Sequence, residues 1–584
     1  MAELVLGPML RHVSDVSATI WVETTHRCTV EILGRSTPTF CVAGHHYALA
    51  IIEDLQPASS IQYDVRLDGE VRWPALDSTL PPSRIQTLGG FERPSRIVFG
   101  SCRTAAPHEP PWSLELALDS RGRGVDALYI YALSMLERPE TEWPELAVFL
   151  GDQIYADDSS PKARERIAEV RKDLQHDPEK DLPPELVGGF EEYTWLYHEA
   201  WSPQIERWFF SNVPTVMIFD DHEMIDDWNI SDAWVRTIRT KDWWEDHVIG
   251  GLMTYWLYQH LGNLSPADVR AEGLLEALGQ TADGEGRLRE WAMGAEEFTP
   301  TEGNYRFSVV RDIGRVRLVV IDSRNARALE PRNRRMVNED EWGWVVEACS
   351  VDVDHLLIGT SLPVFVPGGL HDLQEWSEAI CDGAWGAPGR KFGEWLRVKA
   401  DMEDWPAFNR SFGAFVQLLH DLGARSRADA PATISVLAGD IHFSFAAEIR
   451  FSDQHEVASR VHQLVSSPIR NALRPPESTA MRLGASRFAK VIARGLRRAA
   501  GRRRPTVSWA MDIGPVFDNS LGQVYFDERT ARLTVLQARP HEDAVKPGFD
   551  TVIDFDLVAG SYGRRGKPDV ATDLGATAPR AAGE

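Results

Sequence analysis

LAVFLGDQIY, residues 146–155, sets five apolar residues in a row before Gly-Asp and closes on a tyrosine. An unbroken apolar run of this length fits a strand buried on both faces, as in a parallel sheet covered by helices, and not the half-wetted strand of an antiparallel sheet. Five further stretches repeat the design: RIVFGSC (96–102), TVMIFDDHE (215–223), LVVIDSR (318–324), HLLIGTS (355–361) and ISVLAGDIH (434–442). Each is an apolar strand that ends in small or polar residues, and helical stretches lie between them. The pattern predicts an α/β domain over residues 93–560. Open α/β sheets place ligand chemistry at the carboxyl ends of their strands. The six ends are therefore expected to converge on one site.

Residues 1–92 have another texture. SATIWVET (17–24), CTVEILG (28–34) and SIQYDVRLDG (60–69) are short β-rich runs separated by turn signals such as LQPASS (55–60). They predict a small all-β sandwich of immunoglobulin or fibronectin type, joined through PPSRIQTLGGFERPS (81–95). Within the larger domain, residues 161–210 and 232–300 are helical insertions rich in Trp and Tyr. DWWEDHVIGGLMTYWLYQHL (242–261) carries apolar residues at helical spacing, so its aromatics read as core, and His198, His247 and His260 as structural. Residues 561–584 read as a disordered tail.

The composition, 43% apolar and 26% charged with 20 tryptophans, is that of a globular protein with ample core. A net charge of −25 argues against broad nucleic-acid binding. The five cysteines are few, odd in number and scattered, which fits a reducing compartment and not a disulfide framework. No apolar stretch approaches the ~20 residues needed to cross a membrane. The start MAELVLGPML lacks the plan of a signal peptide, so the expected location is the cytoplasm.

The strand ends form a metal-ligand inventory. FGSC offers Cys102, GDQIY offers Asp152 and Tyr155, FDDHE offers Asp220, Asp221 and His222, and AGDIH offers Asp440 and His442. Around His222, the stretch VMIFDDHEMIDDW (216–228) also holds Glu223, Asp226 and Asp227. Carboxylates this close repel one another, and burying them is costly unless positive charge compensates. One or two cations would supply it. Singly, each piece has a plainer reading: Gly-Asp after a strand makes a turn or a helix cap, Ser-Cys a buried thiol, and DDHE an acidic helix start. Together, all at the ends of apolar strands, they point to a metal centre.

This motif set resembles that of the PhoD-like metallophosphatases (the alkaline phosphatase D family), relatives of the calcineurin-like and purple acid phosphatases. GDQIY has the GDxxY form, DDHE looks like the variant of the next motif, and GDIH looks like the last with Asp for its first His. The resemblance implies an αββα sandwich with helical insertions behind a fibronectin-like module. It implies that Asp152 bridges two metals, that Tyr155, Cys102 and His442 complete a site for Fe³⁺, and that Asp221 and Asp440 hold a divalent ion. Oxygen ligands favour Ca²⁺, otherwise Mn²⁺ or Mg²⁺. His222 would face the phosphate, with Asp220 or Glu223 behind it. One departure stands out: the purple acid phosphatases supply a further His where HLLIGTSLPVF (355–365) offers only Thr360 or Ser361.

The expected reaction is hydrolysis of phosphate esters, mono- or diesters, with arginine clamping the phosphate oxygens. Arg103 and Arg324 are the candidates, each with a salt bridge as its plainer reading. His108 lies on a loop near the proposed site. Glycoside hydrolysis by paired carboxylates is a rival that needs neither Cys102 nor Tyr155. A non-catalytic, metal-stabilised binding protein is the other alternative. Residues 482–504, RLGASRFAKVIARGLRRAAGRRR, hold nine Lys or Arg and no acid. They read as a solvated helix or, in the functional alternative, as a contact for an anionic polymer or lipid face.

Overall fold

The computed structural model describes residues 1–89, 94–172, 182–296, 305–426, 429–452, 457–471, 487–503, 505–539 and 548–562. The tail predicted at 561–584 and the first part of the basic segment lie almost wholly outside these residues.

Ten strands, β1 to β10, occupy residues 4–86. Eight of them form two four-stranded antiparallel sheets. β2 (Ala18–Thr24) and β6 (His45–Ile52) run side by side in one of these. Alternation divides their side chains. Ile20, Val22, Ala48 and Ala50 face the sandwich interior. Trp21, Tyr47 and Leu49 point the other way and share one core with the α/β domain. The sandwich is thus built into the molecule. Its Arg11, fully buried, donates to the carbonyls of Tyr258 (3.0 Å) and Gln259 (2.6 Å), and the Tyr63 hydroxyl donates to the Ser211 carbonyl at 2.6 Å.

The α/β domain holds two seven-stranded sheets. In the first, β11 (Ser95–Gly100), β12 (Leu146–Leu150) and β13 (Thr215–Ile218) are parallel. The antiparallel β21 (Ser520–Asp527), β22 (Thr530–Arg539), β23 (Gly548–Asp556) and β24 (Ser561–Tyr562) extend that sheet beyond β11. In the second, β15 (Val316–Ile321), β16 (His355–Thr360), β17 (Thr433–Ala438) and β19 (Arg460–Val465) are parallel. β14 (Val309–Ile313), β18 (Ser444–Phe451) and β20 (Val507–Val516) complete it.

The continuous apolar runs have the predicted cause. Val320, Leu357 and Leu437 pack toward the first sheet. Their neighbours Val319, Ile321, Leu356, Ile358 and Val436 pack on the outer helices. Both faces are dry, so both parities must be apolar, and each such side chain contributes roughly 1.5–3 kcal/mol on burial. The fold is an αββα sandwich behind an all-β module. The Trp-rich insertions are core as expected: Trp201, Trp208 and Trp256 are fully buried. His247 and His260 are buried too, while His198 is part of a contact with the β module. Among the described residues no helix is long and apolar enough to cross a membrane.

Candidate metal centre

The six strand ends do converge. The backbone N–H of Cys102 donates to the Gly151 carbonyl (3.2 Å) and that of Arg103 to the Asp152 carbonyl (2.9 Å), which pins the end of β11 to that of β12. The Asp440 N–H donates to the Ser101 hydroxyl at 3.1 Å, which brings in β17 from the other sheet. Gly151 must be glycine. Its φ is +104°, and a Cβ there would lie 2.5 Å from the Cβ of Asp220. That close approach is the physical content of the Gly in GDQIY.

Ligand atoms of Cys102, Asp152 and His442 lie within 4.8 Å of one another, as do those of Asp152, Asp221 and His222, and those of Asp220, Asp221 and Asp440. Asp152 and Asp221 are each shared between two groups, so the three groups form one continuous site. Tyr155 joins through Asp152, to which its hydroxyl donates at 3.3 Å, and Asn471 donates to that hydroxyl at 2.9 Å. Four of these residues hold the backbone in the left-handed region: Cys102 (φ 57°), Asp152 (53°), Asp440 (62°) and His442 (54°). Non-glycine residues pay of order 1–3 kcal/mol each for such strain, and it concentrates at functional sites.

The electrostatics of the site favour a cation. Asp152 Oδ1 and Asp220 Oδ2 are buried and lack a hydrogen-bond partner. Burial, then repulsion among neighbouring carboxylates, raises Asp440 well above the ordinary carboxylate range, and Asp152 likewise despite the opposing charge of His222. The Cys102 thiol and the Tyr155 phenol are also pushed well up, first by burial and then by Asp152 beside both. Burial drives His442 down to about 4, so it stands as a neutral imidazole. The residues fit a pair of cations: a mixed thiolate, phenolate and imidazole pocket beside one made of carboxylates.

Three groups support the site, and the sequence singles out only Glu223, there as a support behind His222. Glu223 accepts from the backbone N–H groups of Asp152 (2.9 Å), Gln153 (2.8 Å) and Asp220 (2.8 Å), tying the end of β12 to that of β13. Asp157 grips the His222 ring. Ser467 donates to the Cys102 sulfur at 3.3 Å and accepts from the His442 N–H at 3.3 Å. Asp157 had a faint signal, the acidic pair just after GDQIY. Ser467 and Asn471 had none.

The two arginines differ from the predicted phosphate clamps. Arg103 is 2% exposed. Its guanidinium donates to Asp126 (2.9 Å), Glu206 (2.9 Å) and the Ala200 carbonyl (2.8 Å), so its donors are spent within the protein. It is the buried salt bridge of its plainer reading. Arg324 is fully buried at the end of β15. It donates to Asp220 and Glu403 and lies 3.3 Å from Asp221. It touches the centre from behind, as a counter-charge to its carboxylates. His108 stacks on Tyr129 at 3.9 Å and meets Glu206 at 2.7 Å. At the end of β16, Thr360 and Ser361 are buried and share Ser323, at 3.2 and 2.8 Å, so their hydroxyls are engaged with each other's neighbour.

Comparison with known proteins agrees with this geometry. Residues 128–259 match the model of the PhoD-like phosphatase family, and residues 1–85 match a domain family of unknown function, DUF7800. A solved structure described as that of PhoD superposes with a TM-score of 0.56 at 11% identity, covering 94% of this chain and 90% of that one. The purple acid phosphatase PPD1 from yellow lupin (Lupinus luteus) seeds gives a TM-score of 0.43 at 11% identity over 95% of this chain and 72% of that one. No curated protein gives a significant match. The four motifs gather at one site in a fold shared with PhoD, and the PhoD-like phosphatase family model matches across the second and third of the motif-bearing strands.

Proposed function

We propose that this protein is a metal-dependent phosphoesterase whose centre is built from Cys102, Asp152, Tyr155, Asp221, Asp440 and His442. The reading rests on one observation above the others: the ligand atoms of Cys102, Asp152 and His442, and those of Asp220, Asp221 and Asp440, form two adjoining groups, each within 4.8 Å, with Asp152 and Asp221 both reaching His222. Cys102, Tyr155 and His442 would suit Fe³⁺, and Asp152 would contribute a carboxylate beside them. Asp221 and Asp440 suit an oxygen-loving divalent ion, Ca²⁺ first, then Mn²⁺ or Mg²⁺. Bound cations supply a water of lowered pKa and neutralise charge on the phosphoryl oxygens.

The chain's own residues do the rest. His222 is held by Asp157 through Nδ1, which leaves Nε2 as the free ring nitrogen. Burial opposes its charged form, but Asp157 and Asp221 outweigh burial and raise it well above the usual imidazole range. A protonated imidazole there can give its proton to the departing alkoxide as general acid. Arg324 and Glu223 act as positioning residues for the carboxylates.

The substrate class is a phosphate ester. Hydrolysis of bis(p-nitrophenyl) phosphate and of p-nitrophenyl phosphate, each with and without a strong chelator, tests the proposal. A chelator-sensitive rate on either ester supports it, and the ratio of the two rates sets the preference between diesters and monoesters. Absence of any rate with iron plus calcium, manganese or magnesium overturns it.

A further inference from the structure

The Arg487–Ala499 helix is amphipathic in an unusual sense. Its arginines partly point inward. Arg497 is 2% exposed and reaches Asp372 (2.7 Å) and Glu375 (3.1 Å) on the Gly368–Cys381 helix. Just beyond the helix, Arg502 reaches Glu378 at 2.8 Å. These ion pairs hold the helix down. Its apolar Val491 and Ile492 meanwhile face water, 67% and 48% exposed. That is the reverse of the arrangement expected for a helix that packs by its apolar stripe.

A second helix, Gly386–Lys399, packs on the same Gly368–Cys381 helix. It presents Phe392 and Trp395, 47% and 57% exposed, with rings 5.8 Å apart, and Trp385 precedes it at 42%. Trp376 joins them from below, 5.5 Å from Trp385 and 6.4 Å from Phe392. Among the described residues, Trp385, Phe392 and Trp395 are the exposed Trp and Phe side chains of this protein. All three therefore fall within one short stretch. The two helices meet where the Trp385 indole N–H donates to the Ala499 carbonyl at 3.5 Å.

The charge on this face opposes that of the whole molecule. The Arg487–Ala499 helix carries five cations and no acid, and the Gly386–Lys399 helix four cations and one acid. That acid, Glu394, is paired with Arg334. Arg494 is 55% exposed with only a 3.8 Å contact to Asp372, and Lys391, Lys399, Arg498 and Arg503 are exposed on the two helices or just beyond them. Indole and phenyl rings seek the boundary between headgroups and acyl chains. Flanking cations seek anionic headgroups. A nucleic acid would use the cations but not Val491 and Ile492, and the net charge of −25 opposes it over a longer reach.

We propose that these two helices form a docking face for the surface of an anionic phospholipid bilayer, on which the protein rests without crossing it. The test is co-sedimentation of the full chain with phosphatidylcholine vesicles, plain or containing phosphatidylglycerol, at low and at physiological salt. Binding is expected to the anionic vesicles only and to weaken with salt. The double variants Phe392→Ala/Trp395→Ala and Arg494→Ser/Arg498→Ser should each lower it about tenfold or more. Unchanged phosphate-ester hydrolysis shows that the variants fold. Equal binding to neutral vesicles, no binding to anionic ones at low salt, or full binding by both variants overturns the proposal. So does a concentration-dependent dimer that the aromatic variant dissolves while vesicles take up no protein. In that case the face is an interface between copies.

Discussion

His222 Nδ1 lies 2.9 Å from each carboxylate oxygen of Asp157. The pair fixes the ring's orientation and favours its charged form, as a carboxylate does for the imidazoles of many active sites. Replacing His222 by Asn should therefore cut kcat by about 10²–10⁴-fold on an alkyl phosphate ester. The loss should be far smaller on a nitrophenyl ester, whose leaving group needs no proton. Asp157→Asn should show the same dependence on leaving group at smaller amplitude. Losses independent of the leaving group would mean that His222 does not donate the proton.

Arg324 is fully buried against Asp220, Asp221 and Glu403. Removing one partner of a buried ion network strands the others, at a cost of about 3–5 kcal/mol. Arg324→Met should lower the denaturation midpoint accordingly and weaken retention of the divalent ion. Arg103→Met should destabilise to a similar degree, because Asp126 and Glu206 lose their partner, yet leave metal content unchanged. Denaturant titration with metal analysis on both variants separates the two roles.

Cys102 and Tyr155 belong to one pocket and Asp221 and Asp440 to the adjoining one. On the proposed assignment of Fe³⁺ to that pocket, Cys102→Ser and Tyr155→Phe should lose iron preferentially, and Tyr155→Phe should lack a visible phenolate-to-iron absorption. Asp440→Asn should lose the divalent ion first. Metal analysis paired with visible spectroscopy checks the assignment. Equal loss of both metals in all three variants would count against two separable sites.

Glu23 on β2 meets His45 on β6 (3.0 Å) and His198 on the Gly189–Trp201 helix (2.9 Å), clasping the β module to the α/β domain. Burial opposes the charged His45, but Glu23 and Glu191 outweigh it and raise its pKa from 6.5 to about 9. A folded pKa above the unfolded one gives stability that is fully present below about 6.5 and lost as pH rises through about 9. The wild-type melting temperature should fall over that window, and His45→Gln should flatten the fall. An equal slope in the variant would place the pH dependence elsewhere.

The local pattern of residues was enough for the two fold classes and for which candidate ligands stand at the strand ends. Short continuous apolar runs rich in Val, Ile and Leu fit strands covered on both sides, and GDQIY, DDHE and GDIH each stand at a strand end, where short-range chemistry decides the turn. Even Gly151 follows from its neighbourhood, once Asp220 is known to sit against it. The partners of those ligands were beyond its reach. Arg103 and Arg324 are equally basic and equally placed after a strand. One faces Asp126 and Glu206, the other Asp220 and Glu403, and these partners are up to 104 residues away. The same holds for the clasp of Glu23 on His198, 175 residues apart, and for the inward turn of Arg497 beneath an outward Val491. A residue's type and near neighbours determine what it can bind. Which charge it meets in a low-dielectric interior is set by long-range packing, and that was decided only when the two sheets, their helical insertions and the β module closed around the site.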